Sequence, residues 1–103
     1  MTIKSLVDDI RQSTDYQKNK IRLKEQVMGD LIVSHNSGLF VVTPDLIAFL
    51  SVWDDDLLYL EDHYGNPIQV NREELLTQCK QQYQKVMNRW HSQHAQLQTI
   101  RKI

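Results

Sequence analysis

From residue 71 to residue 102, apolar positions recur at three- and four-residue intervals: Leu75, Leu76, Cys79, Tyr83, Val86, Met87, Trp90, His94, Leu97 and Ile100. That spacing draws one stripe along a helix. No Gly or Pro interrupts the run. Asn71 suits the N-cap, and Glu74 stands three residues on, where a capping-box side chain reaches back to the cap N–H. The pattern predicts a helix over 72–102, a rod of roughly 45 Å. A compact domain of this length has a radius of gyration near ~13 Å. The rod therefore reaches the edge of its own domain or projects past it, and something must cover the overhanging stripe.

Residues 2–28 predict a first helix, with Ile3, Leu6, Val7 and Ile10 and then Ile21, Leu23, Val27 and Met28 on its apolar face. The polar stretch around Tyr16 predicts a bend or a break. Gly29 closes the helix, as glycine does just past helix ends. Residues 31–35 and 39–43 are nearly continuous in Leu, Ile, Val and Phe and flank Asn36-Ser37-Gly38, which predicts a hairpin. Thr43-Pro44-Asp45 is a helix start: a cap, a proline at the first helical position and an acid for the dipole. A short helix over 44–53 follows, then strands over 57–62 and 68–70 about a turn at 63–67. The order α-ββ-α-ββ-α predicts one α+β domain over 1–103, a small antiparallel sheet covered by helices. Its ends are an N-terminal helical segment, 1–28, and the long helix, 72–102.

The near-neutral balance of 103 residues hides a segregation. Asp30, Asp45, Asp54, Asp55, Asp56, Glu61, Asp62, Glu73 and Glu74 stand against Arg72 alone in the middle of the chain. After Glu74 there is no acid, while Lys80, Lys85, Arg89, Arg101 and Lys102 are present. Either the middle attracts the ends, within or between copies, or the long helix offers a basic surface to an acidic partner. No run approaches the ~20 apolar residues of a membrane span. The N-terminus has no signal-peptide pattern. A cytoplasmic protein with no membrane partner is expected.

Few residues suggest chemistry. Cys79, the single cysteine, falls on the stripe and reads as a buried structural thiol. Asp54-Asp55-Asp56 with Glu61 and Asp62 has acids for a cation but lacks the glycine of a calcium loop, and reads as a solvated turn. His91 and His94 share a helix face, but no further zinc ligand accompanies them. His35 and His63 flank turns and read as exposed. Ser34, Ser37 and Ser51 lack a nucleophile-elbow context, and Gly29, Gly38 and Gly65 do not form a phosphate loop. These residues predict no enzyme, no metal and no cofactor.

The runs Val42-Thr43-Pro44-Asp45-Leu46-Ile47-Ala48-Phe49-Leu50, Asn66-Pro67-Ile68 and Tyr83-Gln84-Lys85-Val86-Met87-Asn88-Arg89-Trp90-His91 resemble small uncharacterised proteins of T4-like tailed phages, particularly those of cyanobacteria. The resemblance spans about residues 28–94. It implies a virion component, an assembly factor or a protein acting on a host target, located in the host cytoplasm or the virion. The long helix independently predicts an oligomeric interaction or assembly protein, bound to itself or to another protein through Tyr83, Met87, Trp90, His94 and Leu97. The alternative is a nucleic-acid-binding regulator using Lys80, Lys85, Arg89, Arg101 and Lys102.

Overall fold

A computed structural model describes residues 3–102. The elements run α1 (Ile3–Asp30), β1 (Ile32–His35), β2 (Gly38–Val41), α2 (Pro44–Val52), β3 (Leu57–Glu61), β4 (Pro67–Asn71) and α3 (Arg72–Lys102). The α+β order is the expected one. The antiparallel strands form the two expected hairpins, β1–β2 and β3–β4, each a two-stranded sheet of its own.

Local chemistry explains the boundaries. Asn36 and Ser37 both take positive φ, 47° and 68°, so the first hairpin turns on two residues. Gly38 is thereby released into β2. A Cβ there would come within 2.7 Å of Ile68 Cγ1, so the missing side chain lets the two hairpins approach. Thr43 Oγ1 accepts the Leu46 N–H at 3.1 Å and caps α2. Trp53 leaves the helix in extended conformation and stacks on Phe49, ring centroids 5.0 Å apart.

The hairpins, α2 and the start of α3 form a head around Phe40, Val42, Leu50, Leu58, Val70, Leu75 and Cys79. Burial pushes the Cys79 thiol up to about 11, which keeps it protonated and inert at neutral pH. The rest of α3 leaves the head with α1 beside it as a two-helix stalk. The molecule measures 66 × 23 × 18 Å, with a radius of gyration of 19.6 Å. The long helix does project, as its length requires.

Three details of α1 differ from the sequence reading. It is one unbroken helix, and it runs through Gly29 to Asp30. Its inward face keeps Leu23 and Val27 of the expected one, adds Tyr16 and leaves out Ile21 and Met28. Tyr16 and Val27 are buried and Leu23 is half-buried, whereas Ile21 and Met28 are 58% and 64% exposed. The seam follows the steps 16, 23, 27 and 30, and Ile21 lies about 140° from Tyr16 around the helix. The side chains of Leu6, Val7 and Ile10 lie outside the described residues.

Candidate interaction surface

Asn71 Oδ1 accepts the Glu74 N–H at 3.1 Å, as a cap should. Glu74 does not return the bond. The Asn71 N–H points instead at Nε2 of His35, 3.2 Å away. His35 is buried, not exposed as its turn-flanking position suggested. Its Nδ1 lies 2.8 Å from Gln78 Oε1, and Gln78 Nε2 donates to Ser34 O at 3.4 Å. Since Nε2 accepts, the ring proton sits on Nδ1 and donates to Gln78. His35 therefore rivets the first hairpin to the first turns of α3. Arg72 ties α2 to the same point: its Nη1 donates to Leu50 O at 3.0 Å, and its Nη2 stands 3.8 Å from Asp56.

Three faces of α3 can then be told apart. One faces α1. Gln82 Nε2 donates to the Asp30 carbonyl at 2.7 Å, and Arg89 pairs with the Asp30 carboxylate. Farther out, Gln93, Gln96 and Leu97 lie beside Asn19, Arg22, Leu23 and Gln26. Numbers fall along α1 as they rise along α3, so the stalk helices are antiparallel. This seam is rich in glutamine, and much of the apolar stripe is rotated away from it. A second face takes α2, whose Pro44, Ile47 and Ala48 line a groove with Lys80, Tyr83 and Gln84. Between these two faces runs a strip of Met87, Trp90 and His94, all half-buried, which continues the line of Tyr83 outward. α2 has nine residues, and its first turn lies level with Tyr83, so it covers none of the strip beyond that point.

The predicted interface residues thus divide. Leu97 is buried in the chain's own stalk, and Tyr83 packs against the head core beside α2. Met87, Trp90 and His94 form the flank, while His91 is exposed.

The predicted cations do not share one face. Lys80 and Lys85 are exposed but stand five residues apart, about 140° around the helix. Arg89 is engaged by Asp30. The side chains of Arg101 and Lys102 lie outside the described residues.

Asp62 departs from the solvated acidic turn of the sequence reading. It is buried, and it collects the N–H groups of Tyr64 at 3.0 Å and Asn66 at 2.9 Å on Oδ1, and of Leu39 at 3.2 Å on Oδ2. It closes the second turn and clamps it to β2. The Asn66 N–H lowers its pKa most, against the opposing effect of burial, with the Leu39 and Tyr64 N–H groups adding to the lowering. A carboxylate favoured in the fold contributes stability above its ordinary value of 3.8, and that stability is lost as pH falls through the lower, folded-state value. Acid titration of the unfolding midpoint should therefore be shallower below pH ~4 in Asp62→Asn than in the unaltered chain, and the variant should be less stable at pH 7. Identical acid limbs would remove Asp62 from this role.

Among the described residues, no three His, Cys, Asp or Glu side chains are grouped to hold a metal ion, and no helix is long and apolar enough to cross a membrane. No protein-family model, curated protein or solved structure matches this chain.

Proposed function

We propose that the chain is a non-enzymatic interaction or assembly protein that associates with a second copy of itself along the stalk. The observation that carries this reading is the strip of Met87, Trp90 and His94, half-buried on a flank of α3 that α2 does not reach. Aromatic and methionine side chains are enriched at protein interfaces. Surface area supports it. The chain exposes 7733 Å², whereas a compact monomer of its mass exposes roughly 6,100 Å². The excess is larger than the ~800 Å² that each partner contributes to an ordinary stable interface. A two-fold pairing of stalks would lay each strip against its copy and convert a two-helix rod into a four-helix one. The resemblance to small T4-like phage proteins gives the reading a setting, a subunit of a virion or of an assembly or host complex.

Trp90→Asp tests it. A charge in the middle of the strip should weaken self-association by about thirtyfold or more, the cost of losing an interface hot spot. Size-exclusion chromatography with light scattering should then report a monomer, with far-ultraviolet circular dichroism unchanged. An unaltered mass for a folded Trp90→Asp variant would count against the stalk interface.

A further inference from the structure

The head carries a strand edge that has no partner strand among the described residues. In β3–β4, Leu58 faces Val70 and Leu60 faces Ile68. The ladder is flanked by bonds from the Arg72 N–H to Asp56 O, 2.8 Å, and from the Asp62 N–H to Asn66 O, 2.9 Å. Alternation along an antiparallel pair then directs the N–H and C=O groups of Leu57, Tyr59 and Glu61 away from β4. Among the described residues, none of these outward groups makes a hydrogen bond. The edge of β2 approaches but does not join. The His63 N–H donates to Leu39 O at 2.6 Å, and beyond that bond the strands part. They leave a notch of about 240 Å³ lined by Phe40, Val41, Leu46, Leu60 and His63, among others. On the opposite face of β3, Leu57 is 59% and Tyr59 71% exposed, and Trp53 and Val52 are exposed just before the strand.

The charge around this edge is of one sign. Asp54, Asp55 and Asp56 precede β3 and Glu61 ends it, all exposed. The nearest cation in sequence, Arg72, is turned inward to Leu50 O and Asp56. A second copy is a poor occupant. Antiparallel pairing about Tyr59 would set Asp56 against the copy's Asp62, and parallel pairing would stack identical acids; like charges directly opposite destabilise a sheet. An unpaired backbone row selects an extended chain, and the acids select positive charge.

We infer that the β3 edge is a docking site for a basic, extended peptide segment of another protein, added as a strand. Lysine or arginine on one face of the added strand lies over Tyr59 and Glu61. An apolar side chain on its other face enters the notch beside Leu60. This site is separate from the stalk strip and does not depend on stalk pairing.

The test uses the full chain labelled with nitrogen-15 and a short alternating lysine–valine peptide. The amide signals of Leu57, Tyr59 and Glu61 should shift on titration. N-methylation of alternate peptide nitrogens should weaken binding by about tenfold or more, because it removes the strand bonds and keeps the charge. Tyr59→Pro should cause the same loss, since it deletes an outward N–H and spares the ladder to β4. If that variant does not fold, the N-methylated peptide on the unaltered chain decides the matter. Equal binding of the N-methylated peptide, equal binding of a glutamate–valine peptide, no binding, or concentration-dependent β3 shifts without peptide would each overturn the inference.

Discussion

Leu75→Ala should cost about 3–4 kcal/mol of folding stability and lower the thermal midpoint by roughly 15 °C or more. Leu75 is fully buried at the start of α3. It belongs to a cluster drawn from β2, the residue after it, α2, β3, β4 and α3. Each hairpin has only two strands, too few to be stable alone, so the cluster is what joins them. The cavity left by the lost side chain would lie among Phe40, Leu50, Val70 and Cys79, held in place by elements that cannot all move inward together. Chemical denaturation followed by tryptophan fluorescence and by circular dichroism would measure the loss. A change below ~1 kcal/mol would mean that the head does not depend on this cluster.

Leu97→Asp should release α1 while the head stays folded. Leu97 is 8% exposed, buried at the seam beside Leu23. An aspartate there loses the apolar contact with Leu23 and puts a carboxylate into the buried seam, a change that costs a few kcal/mol even with Arg22 beside it. α1 makes its main packing contacts with α3. Among the described residues its buried line is thin, Tyr16, Leu23 and Val27, and a helix without tertiary support is marginal in water. Hydrogen exchange should report loss of protection over residues 14–30, with residues 38–42 and 57–71 still protected. Circular dichroism should lose helical signal in the same variant. Trp90→Asp should do neither, which separates the seam within a chain from the strip proposed between chains. Retained protection across α1 in Leu97→Asp would show that the stalk is held together elsewhere.

The element order was legible because the strongest signals are local. Thr43-Pro44-Asp45 and Asn71 write their helix starts in adjacent residues, and both caps form. The projecting rod followed from arithmetic on an uninterrupted run. The missed features depend on a second element whose position periodicity does not give. Of the apolar pattern of α1, the antiparallel seam took Leu23 and Val27, added Tyr16 and left Ile21 and Met28 exposed. His35 looked like a turn residue until β4 brought the Asn71 N–H to its ring. Asp62 looked like one more acid beside Asp54-Asp55-Asp56, yet three backbone donors, one from a strand 23 residues earlier, converge on it. The candidate interface was half legible. The stripe put Met87, Trp90, His94 and Leu97 on one contact surface, but it could not show that α1 covers Leu97 while the other three stay half-buried.

The stalk interface is tested most directly by light scattering on the unaltered chain, across a concentration series and at two ionic strengths. The account predicts a species of twice the 12.2 kDa chain mass, dissociating only on dilution and insensitive to salt, because the strip is apolar and half-buried. A monomer at every concentration would contradict it.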